Sequence, residues 1–282
     1  KNYDNKTIPY SKFIQAVEYV DKPKEIGTSK WALVKGEDGV VYQVKFNQTS
    51  LSSNINEFIG NCLGFLIGVP VPDGNFLMIP DNILEECSNN LGFTIDMETV
   101  KNNLFFGIKW MYGQVNFSNT DLLLEELKNS SNYKEYPSIF PYDQYLRNAD
   151  RHVDNHLIIQ DNNNQRFYYS IDSDRIFEGY PHESIECIID NFGCFENPAY
   201  KKLYSSIEDT LFTIMIKYAD KIDKLTDEQI DKIDEYLEYC YEYQLFIREK
   251  IISFLKNRRE IVSKCVDNQD CYDNLNNRML IS

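Results

Sequence analysis

No apolar stretch of this 282-residue chain is long enough to cross a bilayer: the longest runs from Leu63 to Val71, whereas a membrane helix needs about 20 residues. An apolar leader is not expected either. The chain begins Lys1-Asn2-Tyr3-Asp4-Asn5-Lys6, which reads as a protein without a signal peptide. Cationic charge is scarce. Lys and Arg number 29 against 44 Asp and Glu, giving a net charge of −15 and a pI near 4.7. A surface of that sign repels phosphate backbones and the anionic face of a membrane, so neither a general nucleic-acid partner nor a membrane partner is expected. There is also no Cys-x-x-Cys pair. The seven cysteines (Cys62, Cys87, Cys187, Cys194, Cys240, Cys265 and Cys271) are scattered and odd in number. Reduced thiols in a cytoplasm are the simpler expectation. Internal repeats and low-complexity tracts are absent.

What is present is the material of a folded core. Hydrophobic residues make up 43 % and charged residues 26 %, with 20 Tyr and 17 Phe. That excludes a disordered chain, and the length suits one large domain or two lobes around a cleft. The first third reads as strands with one helix. Trp31 to Val34, the turn Gly36-Glu37-Asp38-Gly39 and Val40 to Phe46 form a β-hairpin signal. A helix follows Ser52-Ser53-Asn54, with Phe58, Cys62, Phe65 and Leu66 on one apolar face, and stops at Gly68 before Val69-Pro70-Val71-Pro72. Asn75 to Ile79 reads as a further strand, and residues 81–129 carry mixed signals of short helices and loops. Ser138 to Leu146 reads as helix. Leu157-Ile158-Ile159 and Phe167 to Ile171 form a second hairpin that ends at Asp172. From Ser205 to Val266 the pattern is helical, with Thr226-Asp227-Glu228-Gln229 a capping box.

The chemistry-bearing residues fall in a telling order. Phosphoryl transfer requires a cation on the phosphates, magnesium ligands and a carboxylate beside the attacking hydroxyl. Asp150 and Asn155 have the five-residue spacing seen in the catalytic loop of protein kinases, where the Asp faces the acceptor and the Asn faces the metal. Asp172, beyond the second hairpin, is placed as a second metal carboxylate. Lys45 alternates with Val44 and Phe46, so it points away from their face, toward a cleft, with Glu57 of the next helix its natural partner. An acidic chain can still bind ATP, because the site needs only one or two local cations plus magnesium.

Asn148-Ala149-Asp150-Arg151-His152-Val153-Asp154-Asn155 resembles the Asn-x-Asp-Arg-His-x-x-Asn loop of HipA-like kinases. Ile171 to Phe177 is similar to the metal-binding Ile-Asp segment of that family. Gly27-Thr28-Ser29 through Phe46, Asn56-Glu57-Phe58 and Leu66 to Pro72 are similar to its small lobe. The resemblance spans roughly residues 10 to 180. It implies an α+β, bilobal, protein-kinase-like fold with a small lobe over residues 1–78 and an α-rich lobe over 79–282. It also implies transfer of the γ-phosphate of ATP, with Mg2+, to a Ser or Thr hydroxyl of a protein. Asp150 would be the base in a catalytic loop that includes Arg151 and His152. Asn155 and Asp172 would hold magnesium, and Lys45, paired with Glu57, the α and β phosphates. Gly27, Thr28 and Ser29 would cover those phosphates, while the stretch from Ile79 to Ile83 would receive adenine through its backbone. The chain departs from ordinary protein kinases in lacking Gly-x-Gly-x-x-Gly, His-Arg-Asp, Asp-Phe-Gly and Ala-Pro-Glu.

Two rivals stay open at this point. One is a metal-dependent phosphohydrolase using His152 and His156, four residues apart. The other is a catalytically silent nucleotide-binding module whose helical C-terminal part docks a partner. A regulatory partner protein is compatible with either nucleotide reading. His182, beside Pro181, reads as a surface loop residue.

Overall fold

Alternating β-branched and aromatic residues drive the first part of the chain into a small closed barrel. Its strands are β1 (Phe13–Val20), β2 (Trp31–Gly36), β3 (Val41–Lys45), β4 (Gly74–Met78) and β5 (Leu104–Lys109), in the order β1-β2-β3-β5-β4. All neighbours are antiparallel except β1 and β4, which run parallel. The coordinates are a computed structural model, which describes residues 13–20, 30–46, 51–92, 95, 104–188, 202–203, 205–207, 209–241 and 243–267.

One face of each strand fills the barrel: Ala32, Val34, Tyr42, Val44, Leu77 and Phe105 pack there with Ile83, Leu84, Cys87 and Leu91 of α2 (Asp81–Leu91). The opposite face meets α1 (Ser52–Ile67), where Phe76 and Phe106 pack on Phe58. Asn54 of α1 ties down β5, donating to the Phe106 carbonyl at 2.8 Å and accepting from its amide at 2.7 Å. The sheet therefore runs on to Lys109 and does not end at Met78. The reason is physical: Phe105 is needed inside the barrel and Phe106 outside it. Helix α1 stops where expected, at Gly68 with φ 85°, a left-handed conformation open to a residue without Cβ.

The chain leaves the sheet through residues 110–119. This crossing is pinned to the second hairpin, with the Val115 amide donating to the Ile158 carbonyl and the Gln160 amide to the Gly113 carbonyl. Then come α3 (Thr120–Lys128), capped by Asn119, a 3-10 turn over Tyr133–Ser138, and α4 (Ile139–Leu146). The hairpin of β6 (His156–Gln160) and β7 (Arg166–Ser170) matches its expected place. Last are α5 (Asp209–Asp223), α6 (Asp227–Tyr241) and α7 (Leu245–Asp267). The capping box forms as read: the Thr226 amide donates to Gln229 Oε1 at 3.0 Å and the Gln229 amide to Thr226 Oγ1 at 3.2 Å. One apolar core joins α1 to α4 and to the last three helices. No helix among the described residues is long and apolar enough to cross a membrane.

Candidate active site between the sheet and the helices

Strand alternation aims Lys45 out of the barrel, and the fold surrounds it with acids. Its Nζ lies 2.7 Å from Glu57 Oε1, 2.5 Å from Asp172 Oδ1 and 3.5 Å from Asp174 Oδ2. Lys45 is only 8 % exposed, so burial works against its charge, yet the three carboxylates raise its pKa above the ordinary lysine value. Burial pushes the Glu57 carboxyl up, against the pull of Lys45 and of the Ser173 amide that donates to it at 2.9 Å. Burial likewise raises Asp174, which Lys45 only partly offsets, to about 7. Asp172 goes the other way. Burial opposes its charge, but Lys45 and hydrogen bonds from Asp174 and Lys45 bring it down to about 2. One ammonium facing three carboxylates leaves a deficit of positive charge, and a cation entering the cleft would fill it.

The loop after α4 supplies the other groups. Asn155 ends a 3-10 turn, Val153–Asn155, and its Nδ2 donates to the Asp150 carbonyl at 2.7 Å. That bond fixes the amide so that Oδ1 is the buried end, and this oxygen has no hydrogen-bond partner among the described residues. A buried acceptor left open in this way fits a metal ion or its bound water. The Asp150 side chain is partly open to solvent, with Oδ2 3.9 Å from both His152 Nε2 and Arg175 Nε. Asp172 sits at φ 64°, a left-handed value that costs a non-glycine residue about 1 kcal/mol, which marks the end of β7 as a strained, built position.

Arg151 and His152 have supporting places. Arg151 is buried, donating to Asp143 at 3.0 and 2.8 Å and to the carbonyls of Asn155 and Ile171 at 2.9 and 2.7 Å. It welds the loop to the end of β7 and has no donor turned to the cleft among these contacts. His152 is half-buried and caps the 3-10 turn, with Nδ1 accepting from the Asp154 amide at 3.2 Å.

Three expectations change. Ile79 and Ile83 are buried among the barrel side chains, and the Ile83 amide donates to the Pro80 carbonyl, so this stretch leads into α2 and is followed by a further barrel strand, β5, rather than leaving the sheet. His152 and His156 do not converge: the histidines flank a 3-10 turn, and His156 enters β6, where it is buried beside Tyr136 and Tyr168 with Nδ1 3.1 Å from the Tyr168 hydroxyl. The helical register that a two-histidine metal site needs is absent there. His182 is buried rather than superficial. Gly27, Thr28 and Ser29 lie outside the described residues.

The sequence reading also missed four contributors. Asp143 was legible as a lone acid in the apolar helix Ile139–Leu146, but Asp174, Asn54 and Gly60 gave no signal of their own. Gly60 permits a close approach: a Cβ there would collide with the Ser173 side chain, next to Asp172. Gly60→Ala should therefore cost about 1–3 kcal/mol, read as a lower urea midpoint. An unchanged midpoint would mean that Ser173 does not press on α1.

A strand lysine paired with a helix glutamate, above an Asp–Asn loop and a hairpin ending in Asp, is the arrangement of the protein-kinase class. The family comparison agrees with it. Residues 17–187 match the model for HipA-like kinases, and the chain belongs to that family. A search of curated proteins returns no match. Among solved structures, the chain is similar to the Helicobacter pylori proinflammatory kinase CtkA, with 13 % identity and a TM-score of 0.57 over 90 % of this chain and 98 % of that one, a likeness of fold.

Proposed function

We propose that this chain is a bilobal kinase that binds ATP with magnesium between its barrel and its helices and transfers the γ-phosphate to a Ser or Thr hydroxyl of a protein. The observation that carries the reading is the buried cluster in which Lys45 meets Glu57 and Asp172, next to a loop whose buried Asn155 Oδ1 has no partner among the described residues. Lys45 holds the phosphates, and Glu57 holds Lys45. Asp172 and Asn155 are the residues that fit magnesium, which when bound offsets phosphate charge. Asp150 orients the acceptor hydroxyl and takes its proton as the new O–P bond forms and ADP departs with the electrons of the broken bond. Arg151 keeps the loop in register from below. Buried free thiols at Cys62, Cys87 and Cys240 suit a reducing, cytoplasmic setting.

Calorimetric titration of ATP with and without magnesium tests the site. Magnesium should tighten ATP binding to the wild type and leave Asp172→Ala unaffected. An undiminished magnesium effect in the variant would take Asp172 out of the site.

A further inference from the structure

The family match ends at residue 187, yet the segment behind Asp172 is held by a residue far beyond it. His182 is 1 % exposed and uses both ring nitrogens: Nδ1 lies 2.7 Å from the Tyr243 hydroxyl and Nε2 2.7 Å from Asn56 Oδ1. Asn56 Nδ2 in turn donates to the Asp174 carbonyl at 2.8 Å. Because Asn56 gives its N–H to that carbonyl, its Oδ1 must accept, which puts the proton of neutral His182 on Nε2 and leaves Nδ1 to accept from Tyr243. Every donor then has an acceptor, in one direction, from Tyr243 through His182 and Asn56 to Asp174. Phe177 packs edge-on against His182, with ring centroids 5.7 Å apart, so the ring is held sideways as well.

We infer that His182 is a positioning residue: through Asn56 it fixes the Asp172-Ser173-Asp174 turn against α1, with Tyr243 of the C-terminal helical part as its anchor. Asn56 precedes Glu57, so the relay and the Lys45 cluster grip the same turn from adjacent residues of α1. The inference rests on the kinase reading for its effect on rate, but its structural half stands apart.

The test uses the full chain with His182→Phe, which keeps a ring of similar size and deletes both hydrogen bonds, and His182→Gln, whose amide can restore a donor and an acceptor. Amide hydrogen exchange over residues 172–179 should quicken roughly 10- to 100-fold in His182→Phe and return toward wild type in His182→Gln. Tyr243→Phe should give part of the same loss. In a phosphate-transfer assay, His182→Phe should raise the magnesium concentration for half-maximal rate by about 10-fold, with metal-free ATP affinity unchanged. Equal exchange in His182→Phe and wild type would overturn the inference. So would equal defects in the Phe and Gln variants, or matching losses of metal-free and magnesium-dependent ATP binding, which would mark a general loss of structure. If the wild type transfers no phosphate, the kinase reading fails, and the exchange data still decide the relay.

Discussion

Asp150→Asn should lower phosphate transfer by about a hundredfold to ten-thousandfold while ATP–magnesium affinity stays nearly unchanged. The structure explains why the two should separate. Asp150 contributes to the loop through its backbone, its amide meeting Asn148 Oδ1 at 3.3 Å and its carbonyl accepting from Asn155 at 2.7 Å. Among the described residues its carboxylate makes no ion pair closer than the 3.9 Å approaches of His152 and Arg175, so the amide keeps the fold and removes the base. Asn155→Ala should differ, because it deletes both the open Oδ1 and the bond to the Asp150 carbonyl. Affinity for magnesium–nucleotide and rate should then fall together. Turnover and calorimetric affinity measured on the same proteins check this, and wild-type turnover in Asp150→Asn would remove the loop from the chemistry.

Lys45→Met should be the most damaging single change to the fold in this cluster. The sequence alone suggests a substitution that keeps the aliphatic stem and spares the structure. The observed surroundings say otherwise. Removing the ammonium leaves Glu57 buried with its charge unmatched, beside Asp172 and Asp174, and a buried pair broken on one side costs about 3–5 kcal/mol. Denaturant unfolding reads that loss, and nucleotide affinity should fall with it. In the Lys45→Met background, Glu57→Gln should recover part of the stability, since Gln still accepts from the Ser173 amide without a charge to bury. A cost within about 0.5 kcal/mol would instead describe a solvated edge residue.

Much of this site could be read before any coordinates because its key residues sit in regular elements. Period-two alternation told which way Lys45 points, and the apolar spacing of Phe58, Cys62 and Leu66 told that a helix carries Glu57. Short turns framed the hairpin that ends at Asp172. What escaped depends on contacts between distant segments. Leu104-Phe105-Phe106 is a run too short to distinguish strand from buried helix, and only the closing barrel decides it. The stretch from Ile79 to Ile83 reads as the exit from the sheet for that reason, because the unread strand moves that exit to residue 110. His182 looked superficial beside Pro181, yet its burial is set by Asn56, 126 positions earlier, and Tyr243, 61 positions later. Asp174 likewise gains its place only once Lys45 stands opposite.

The most direct measurement is mass spectrometry of the purified chain, alone and with a generic protein acceptor, after incubation with ATP and magnesium. The account predicts phosphate on Ser or Thr side chains with the wild type and essentially none with Asp150→Asn. Tight ATP binding by both proteins with no phosphate transferred by either would contradict it, and would make the chain a nucleotide-binding module that performs no chemistry.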